Sequence, residues 1–169
     1  MRTFSVGFRN ELEASSSGEV FPIFLTITHP NLDSPLRLVS DVVDYVWQGN
    51  TYTGLPFEIT LISDEDRPPS ARLRVQNVNQ RIGSAVLVLQ SSPRIQLDVL
   101  AASDFAEPVD RVREEIGTPV VEYSAPRLRL RQVRCDAMMV EGELWSWDLS
   151  QEPWPAIRTT KDKTPALYR

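Results

Sequence analysis

Arg127-Leu128-Arg129-Leu130-Arg131-Gln132-Val133-Arg134-Cys135 carries the pattern on which the fold turns. Leucine and arginine alternate with a period of two, the period at which successive side chains of a strand point to opposite faces. Beyond Gln132 the apolar positions fall on odd numbers, Val133 and Cys135. One extra residue exchanges the two faces of a strand, so this slip predicts a β-bulge near Arg131-Gln132. Asp136-Ala137 begins a turn, and Met138, Val140, Gly142 and Leu144 return as the other arm of a long hairpin.

The same period recurs upstream. Phe21, Ile23, Leu25 and Ile27 alternate with Pro22, Phe24, Thr26 and Thr28, which predicts a half-buried strand whose proline places its start at a sheet edge. Leu36 to Val39 is a short strand. Tyr45-Val46-Trp47 and Tyr52 flank Gln48-Gly49-Asn50-Thr51, a tight hairpin in which Gly49 and Asn50 can take positive φ. Phe57, Ile59 and Leu61, then Leu73 and Val75, then Ile95, Leu97 and Val99 mark three further strands.

Helical spacing is confined to two places. Phe4, Phe8 and Leu12 form one apolar stripe in a short helix between Thr3 and Ser15. Asn77 and Gln80 have capping-box spacing ahead of Ile82, Ala85, Val86 and Leu89, a second helix near 78–90. Residues 101–119 lose the period, with one helical turn expected around Val112 to Ile116. The fold class is therefore mainly β (α+β), a β-sandwich or partly closed barrel. Residues 1–150 form one domain with an excursion at 101–119, and 151–169 form an extended C-terminal tail.

Composition agrees. The chain has 169 residues, enough for one core, and 13 prolines against 7 glycines. Proline blocks helix interiors and suits extended segments, which argues against a helix bundle. The formal net charge of −5 argues against nucleic acid as a partner. No run approaches the ~20 apolar residues of a membrane span, and the N-terminus lacks a secretion signal, so a soluble protein made in a reducing compartment is expected.

Candidate chemistry is sparse. One cysteine, Cys135, and one histidine, His29, are the single thiol–imidazole pair, which would suit a hydrolase accessory domain only if the fold brought them within hydrogen-bond reach. Asp64, Glu65 and Asp66 offer oxygens to a cation but lack the spacing of a calcium loop. No catalytic, cofactor or metal residues are assigned on these grounds. Arg127, Arg129 and Arg131 form a one-sided basic stripe that is either a solvated face or a charged subunit interface. Trp145, Trp147, Trp154 and Tyr168 lie in a proline-broken segment and either close the core or anchor a neighbour.

Six segments in order carry a resemblance: Gly18-Glu19-Val20-Phe21, His29-Pro30-Asn31-Leu32, Gly49-Asn50-Thr51-Tyr52, Leu55-Pro56-Phe57-Glu58-Ile59, Asn77-Val78-Asn79-Gln80-Arg81-Ile82 and Glu141-Gly142-Glu143-Leu144. From about Phe4 to about Pro155 the chain resembles a family of uncharacterised minor tail proteins of tailed bacteriophages and prophages. Residues 101–119 are longer than that pattern, and the chain ends at Tyr168-Arg169 without a glycine-aromatic tail.

The resemblance implies a non-enzymatic structural component of the tail tip or baseplate of a long-tailed phage, made in the host cytoplasm and located in the virion tail. Its implied partners are copies of itself in a ring, expected to be a hexamer, the tail tube protein, the central hub and baseplate proteins, and the tape measure protein. A monomeric tail assembly or completion factor is the alternative of the same class. No cofactor is implied, and one cysteine cannot supply the thiolate set of an iron–sulfur tail protein.

Overall fold

The structure, a computed structural model, describes residues 5–60, 70–76, 91–136 and 138–146. Chain order is α1 (Val6–Glu13), β1 (Ile23–Thr28), β2 (Leu36–Val39), β3 (Asp44–Trp47), β4 (Asn50–Gly54), β5 (Phe57–Ile59), β6 (Ser70–Gln76), β7 (Arg94–Val99), β8 (Val112–Glu114), β9 (Tyr123–Cys135) and β10 (Met139–Trp145). The fold is mainly β, and the ten strands among the described residues form one sheet in the order β5-β6-β10-β9-β7-β1-β2-β4-β3-β8. The second helix near 78–90, the acidic run Asp64-Glu65-Asp66 and the tail 151–169 lie outside the described residues.

The connection between β4 and β5 dictates the shape of this sheet. Laid flat, seven strand spacings would separate them by roughly 33 Å. Leu55-Pro56 is all that joins them, and the three Cα steps from Gly54 to Phe57 span at most ~11 Å. The sheet must therefore curl until its β5 edge returns to β2 and β4, as a partly closed barrel. The core agrees: Leu36, Leu38 and Leu55 from one end of the run and Phe57 and Ile59 from the other pack on the same cluster with Leu25, Leu73, Ile95, Leu97, Leu130 and Leu144.

A second core lies on the other side of β1 and β2. Phe24, Val39, Tyr45, Trp47, Tyr52, Leu100 and Phe105 are buried together there, beneath the β3–β4 hairpin and residues 100–116. Adjacent residues serve opposite cores, Leu25 inward and Phe24 outward, so β1 is buried on both sides and not half-buried as its alternation suggests. Nor is β1 an edge strand, since it pairs with β7 and β2. Pro22 simply precedes the first ladder residue.

Local deviations follow turn chemistry. Gln48 and Gly49, with φ of 51° and 69°, form the two-residue turn, one position earlier than Gly49-Asn50. Asn50 is free to donate its side-chain amide to the Gln48 carbonyl at 3.0 Å. Residues 112–114 form β8, parallel to β3, in place of a helical turn. The chain reverses at Asp110-Arg111, both at positive φ, between mutual backbone hydrogen bonds of Val109 and Val112, and Asp44 N–H donates to the Arg111 carbonyl.

The bulge expected in β9 is present. Glu141 pairs with Arg134 and Glu143 with Arg131, so three steps on β9 face two on β10, and Gln132 has φ of 52°. A second bulge, unforeseen, sets Leu128 and Ala125 against Ile95 and Leu97, and spans Pro126, which has no N–H for the ladder.

Helix α1 is capped by the Ser5 hydroxyl, which accepts from Phe8 N–H at 3.0 Å. Its apolar stripe is scarcely used. Phe8 meets Phe21 edge-on at 4.7 Å, whereas Leu12 is exposed and Phe4 lies outside the described residues. The helix is held by polar contacts, Ser5 N–H donating to Glu122 at 2.9 Å.

Candidate interaction surface

The outer wall of the barrel is assembled from four strands. Because Ala71, Leu73, Val75, Ile95, Leu97, Leu128, Leu130, Val140 and Leu144 point inward, their neighbours Arg72, Arg74, Arg94, Arg127, Arg129, Arg131, Glu141, Glu143 and Trp145 point outward. Of the sequence candidates, Arg127, Arg129, Arg131 and Trp145 are on this wall. Trp147, Trp154 and Tyr168 lie outside the described residues. Trp145 is the last residue of β10, paired with Ser70 and Arg129, so it belongs to a strand and not to the proline-broken segment in which it was expected.

Register decides which arginines are neutralised. Glu143 lies between Arg131 and Arg72, and Glu141 between Arg134 and Arg74. Each glutamate takes one partner. Arg131 clasps Glu143 through Nε and Nη2 at 3.1 and 3.0 Å, and Arg74 Nε is 2.8 Å from Glu141. The hydrogen bonds from Arg131 hold the Glu143 carboxyl below its ordinary range. The Arg131 guanidinium also lies over the Trp145 ring at 5.4 Å.

Arg72, Arg94, Arg127, Arg129 and Arg134 are exposed and form no ion pair among the described residues. Arg94 and Arg129 are directly opposed across β7 and β9, a like-charge pair that opposes folding. Gly142 faces the bulge without a side chain, and a shallow concavity of about 490 Å³ opens there, lined by Thr60, Arg72, Gln132, Arg134, Glu141 and Glu143. Arg72, Arg74 and Arg94 are absent from the sequence candidates. Arg72-Leu73-Arg74-Val75 repeats the alternation of Arg127 to Arg131 and was the signal that could have found them.

The thiol–imidazole pair is not assembled. His29 is buried, accepts Asn31 N–H at Nδ1 over 3.1 Å, and so donates from Nε2 to the Ser91 hydroxyl at 2.7 Å. Cys135 is exposed, with Sγ 3.8 Å from the Asp136 carbonyl. Thr28, beside His29, is in register with Arg94 and through it with Arg129. Cys135 lies six residues further along β9, roughly 20 Å at strand rise. No group of three metal-ligating side chains occurs among the described residues, and no helix there is long and apolar enough to cross a membrane.

One polar site escaped sequence reasoning. Tyr45, fully buried in the second core, donates its hydroxyl to Asp41 at 2.7 Å, and burial followed by that hydrogen bond pushes its ionisation well above the ordinary tyrosine range. A folded value above the unfolded one stabilises the protein below about pH 10, and that stability is lost as pH rises beyond it. In an alkaline absorbance titration Tyr45 should ionise only as the fold is lost, and Tyr45→Phe should remove that late step. Four tyrosines ionising together in folded protein would contradict the assignment.

Five of the six motif segments fall within the described residues, and their roles there are architectural. Gly49 makes the hairpin turn, Leu55-Pro56-Phe57 returns the sheet upon itself, His29 holds its own turn, and Gly142 faces the bulge. Fold and surface together define a mainly β protein with a charged outer wall. A family model described as "Domain of unknown function (DUF1833)" matches residues 7–159, and the chain belongs to that family. No curated protein matches it.

Proposed function

We propose that the chain is a structural minor tail protein of a long-tailed bacteriophage, a ring-forming component of the tail tip or baseplate that links the tail tube to the central hub. The place in a tail rests on the six ordered segments that resemble minor tail proteins. The connector role rests on one structural observation: five exposed arginines without carboxylate partners among the described residues, on a wall whose inner side is already closed by the barrel core. Charge left unneutralised on a rigid face serves association better than it serves folding.

The test is electron microscopy of particles from a phage or prophage that encodes this chain, with its reading frame stopped after Ser150 or near the start. Tailless or tip-defective particles are expected, with the protein located at the tail tip of normal ones. Infectious particles of normal tail structure from the early-stop variant would overturn the proposal.

A further inference from the structure

The two ends of β9 lie in regions of opposite charge. Its first residue, Tyr123, follows Glu122, which ties down α1 by accepting Ser5 N–H, while Glu19 accepts Ser103 N–H at 2.8 Å. These contacts join α1 and residues 100–122 into one face. Residues 5–19 and 100–122 together carry nine acidic and three basic side chains. Val6, Leu12, Val109, Ile116 and Val120 are exposed among them. Strands β6, β7, β9 and β10 carry seven arginines against three acids, and one of those acids, Asp98, is buried with hydrogen bonds from Gln96 and Ser124.

From Tyr123 to Arg127, the nearest arginine of the wall, is roughly 13 Å along the strand and to Arg129 roughly 20 Å, both beyond the ~8 Å screening length at physiological salt. The two faces therefore do not neutralise one another within a molecule. We infer that the chain associates with itself head to tail, the arginine wall of one copy seating on the acidic, apolar-flecked face formed by α1 and residues 100–122 of the next. A symmetric contact of wall with wall would oppose arginine to arginine. A wall-to-face contact pairs opposite charges and leaves one wall and one face open, so it propagates into a ring or a filament. Sixteen of the eighteen basic residues are arginine, the cation enriched at interfaces where lysine is depleted. Arg72 and Arg134, flanking the concavity, are placed to receive carboxylates from the neighbour.

This inference deepens the ring-forming reading and depends on it for location in a tail, whereas the contact is tested with the purified full-length chain. Sedimentation velocity should show concentration-dependent association at about 50 mM salt, weakened tenfold or more at about 500 mM. Arg94→Ser/Arg129→Ser and Glu107→Gln/Glu114→Gln should each lose chain-like association when alone. Mixed, they should form a one-to-one complex, because each retains the face the other lacks. The arginine variant should melt no lower than the parent, since it relieves the repulsion between Arg94 and Arg129. A parent monomeric at both salt concentrations, a mixture that stays monomeric, or one variant that associates like the parent would overturn the inference. So would duplex DNA binding that the arginine variant abolishes, which would assign the wall to a nucleic acid. Head-to-tail association by a protein missing from tail tips would instead leave this contact standing and remove the tail assignment.

Discussion

Alanine at Phe24 is expected to destabilise the protein by about 3–5 kcal/mol, a large share of the ~5–15 kcal/mol that holds a typical domain folded. The ring is 1% exposed and lies within 5.0–5.6 Å, centroid to centroid, of Tyr45, Trp47, Tyr52 and Phe105. Three of these meet it near edge-on, and Phe105 stacks on it. Removing the ring therefore leaves a cavity with aromatic walls contributed by β3, β4 and the 100–116 segment. Planar rings fixed on separate strands collapse poorly into such a space, which places the loss toward the upper end of that range. Urea unfolding followed by tryptophan fluorescence measures it, since Trp47 is one of the walls. A loss under about 1 kcal/mol would mean that the second core is not packed as described.

The other large effect is expected from a single methyl group at Gly54. A Cβ there would overlap the main chain of Val43, within 2.6 Å of its carbonyl carbon and 2.8 Å of its nitrogen, and closer still to its carbonyl oxygen. Backbone cannot swing aside as a side chain can. Gly54 N–H also donates to Asp44 Oδ1 at 2.7 Å, and Gly54 is in register with Val39 at the parallel β2–β4 contact. The obstruction therefore falls where the hairpin joins the main sheet, two residues before the chain turns into β5. Gly54→Ala should lose about 3 kcal/mol or more, the upper end of overpacking effects. Gly142→Ala is the control: its nearest obstacle, at 2.6 Å, is Leu130 Cδ1, the end of a side chain that can rotate, and about 1–2 kcal/mol is expected. Equal losses, or a larger one at Gly142, would contradict the close approach of β4 to Val43.

Much of the local structure was legible because the signals are local. Alternation in Arg127 to Leu130 placed β9, and the phase slip at Arg131-Gln132 located a bulge that the register and the Gln132 backbone both display. Leu36 to Val39 and the hairpin around Gly49 were read in the same way. The misreadings share one cause. Phe24 fell on the outward side of its strand, and outward implies solvent only when nothing covers that face. Val112 to Ile116 looked helical because its partner strand, β3, lies far back in the chain.

Of the candidate interface, the sequence alone showed the stripe Arg127, Arg129 and Arg131 but not its standing. Cross-strand register made Arg131 the partner of Glu143 and left Arg127 and Arg129 without an acid among the described residues, and it added Arg72, Arg74, Arg94 and Arg134 to the same wall. It also placed His29 and Cys135 in separate hydrogen-bonding environments.

The sequence by itself determined the period, turns and phase of each strand, because these depend on residues within a few positions of one another. Only the tertiary structure decided the curl that brings β5 back beside β4, the second core over Phe24 and the separation of positive wall from negative face. Each of those requires strands distant in sequence to be set in register, and the pairing energy that sets them belongs to no single segment.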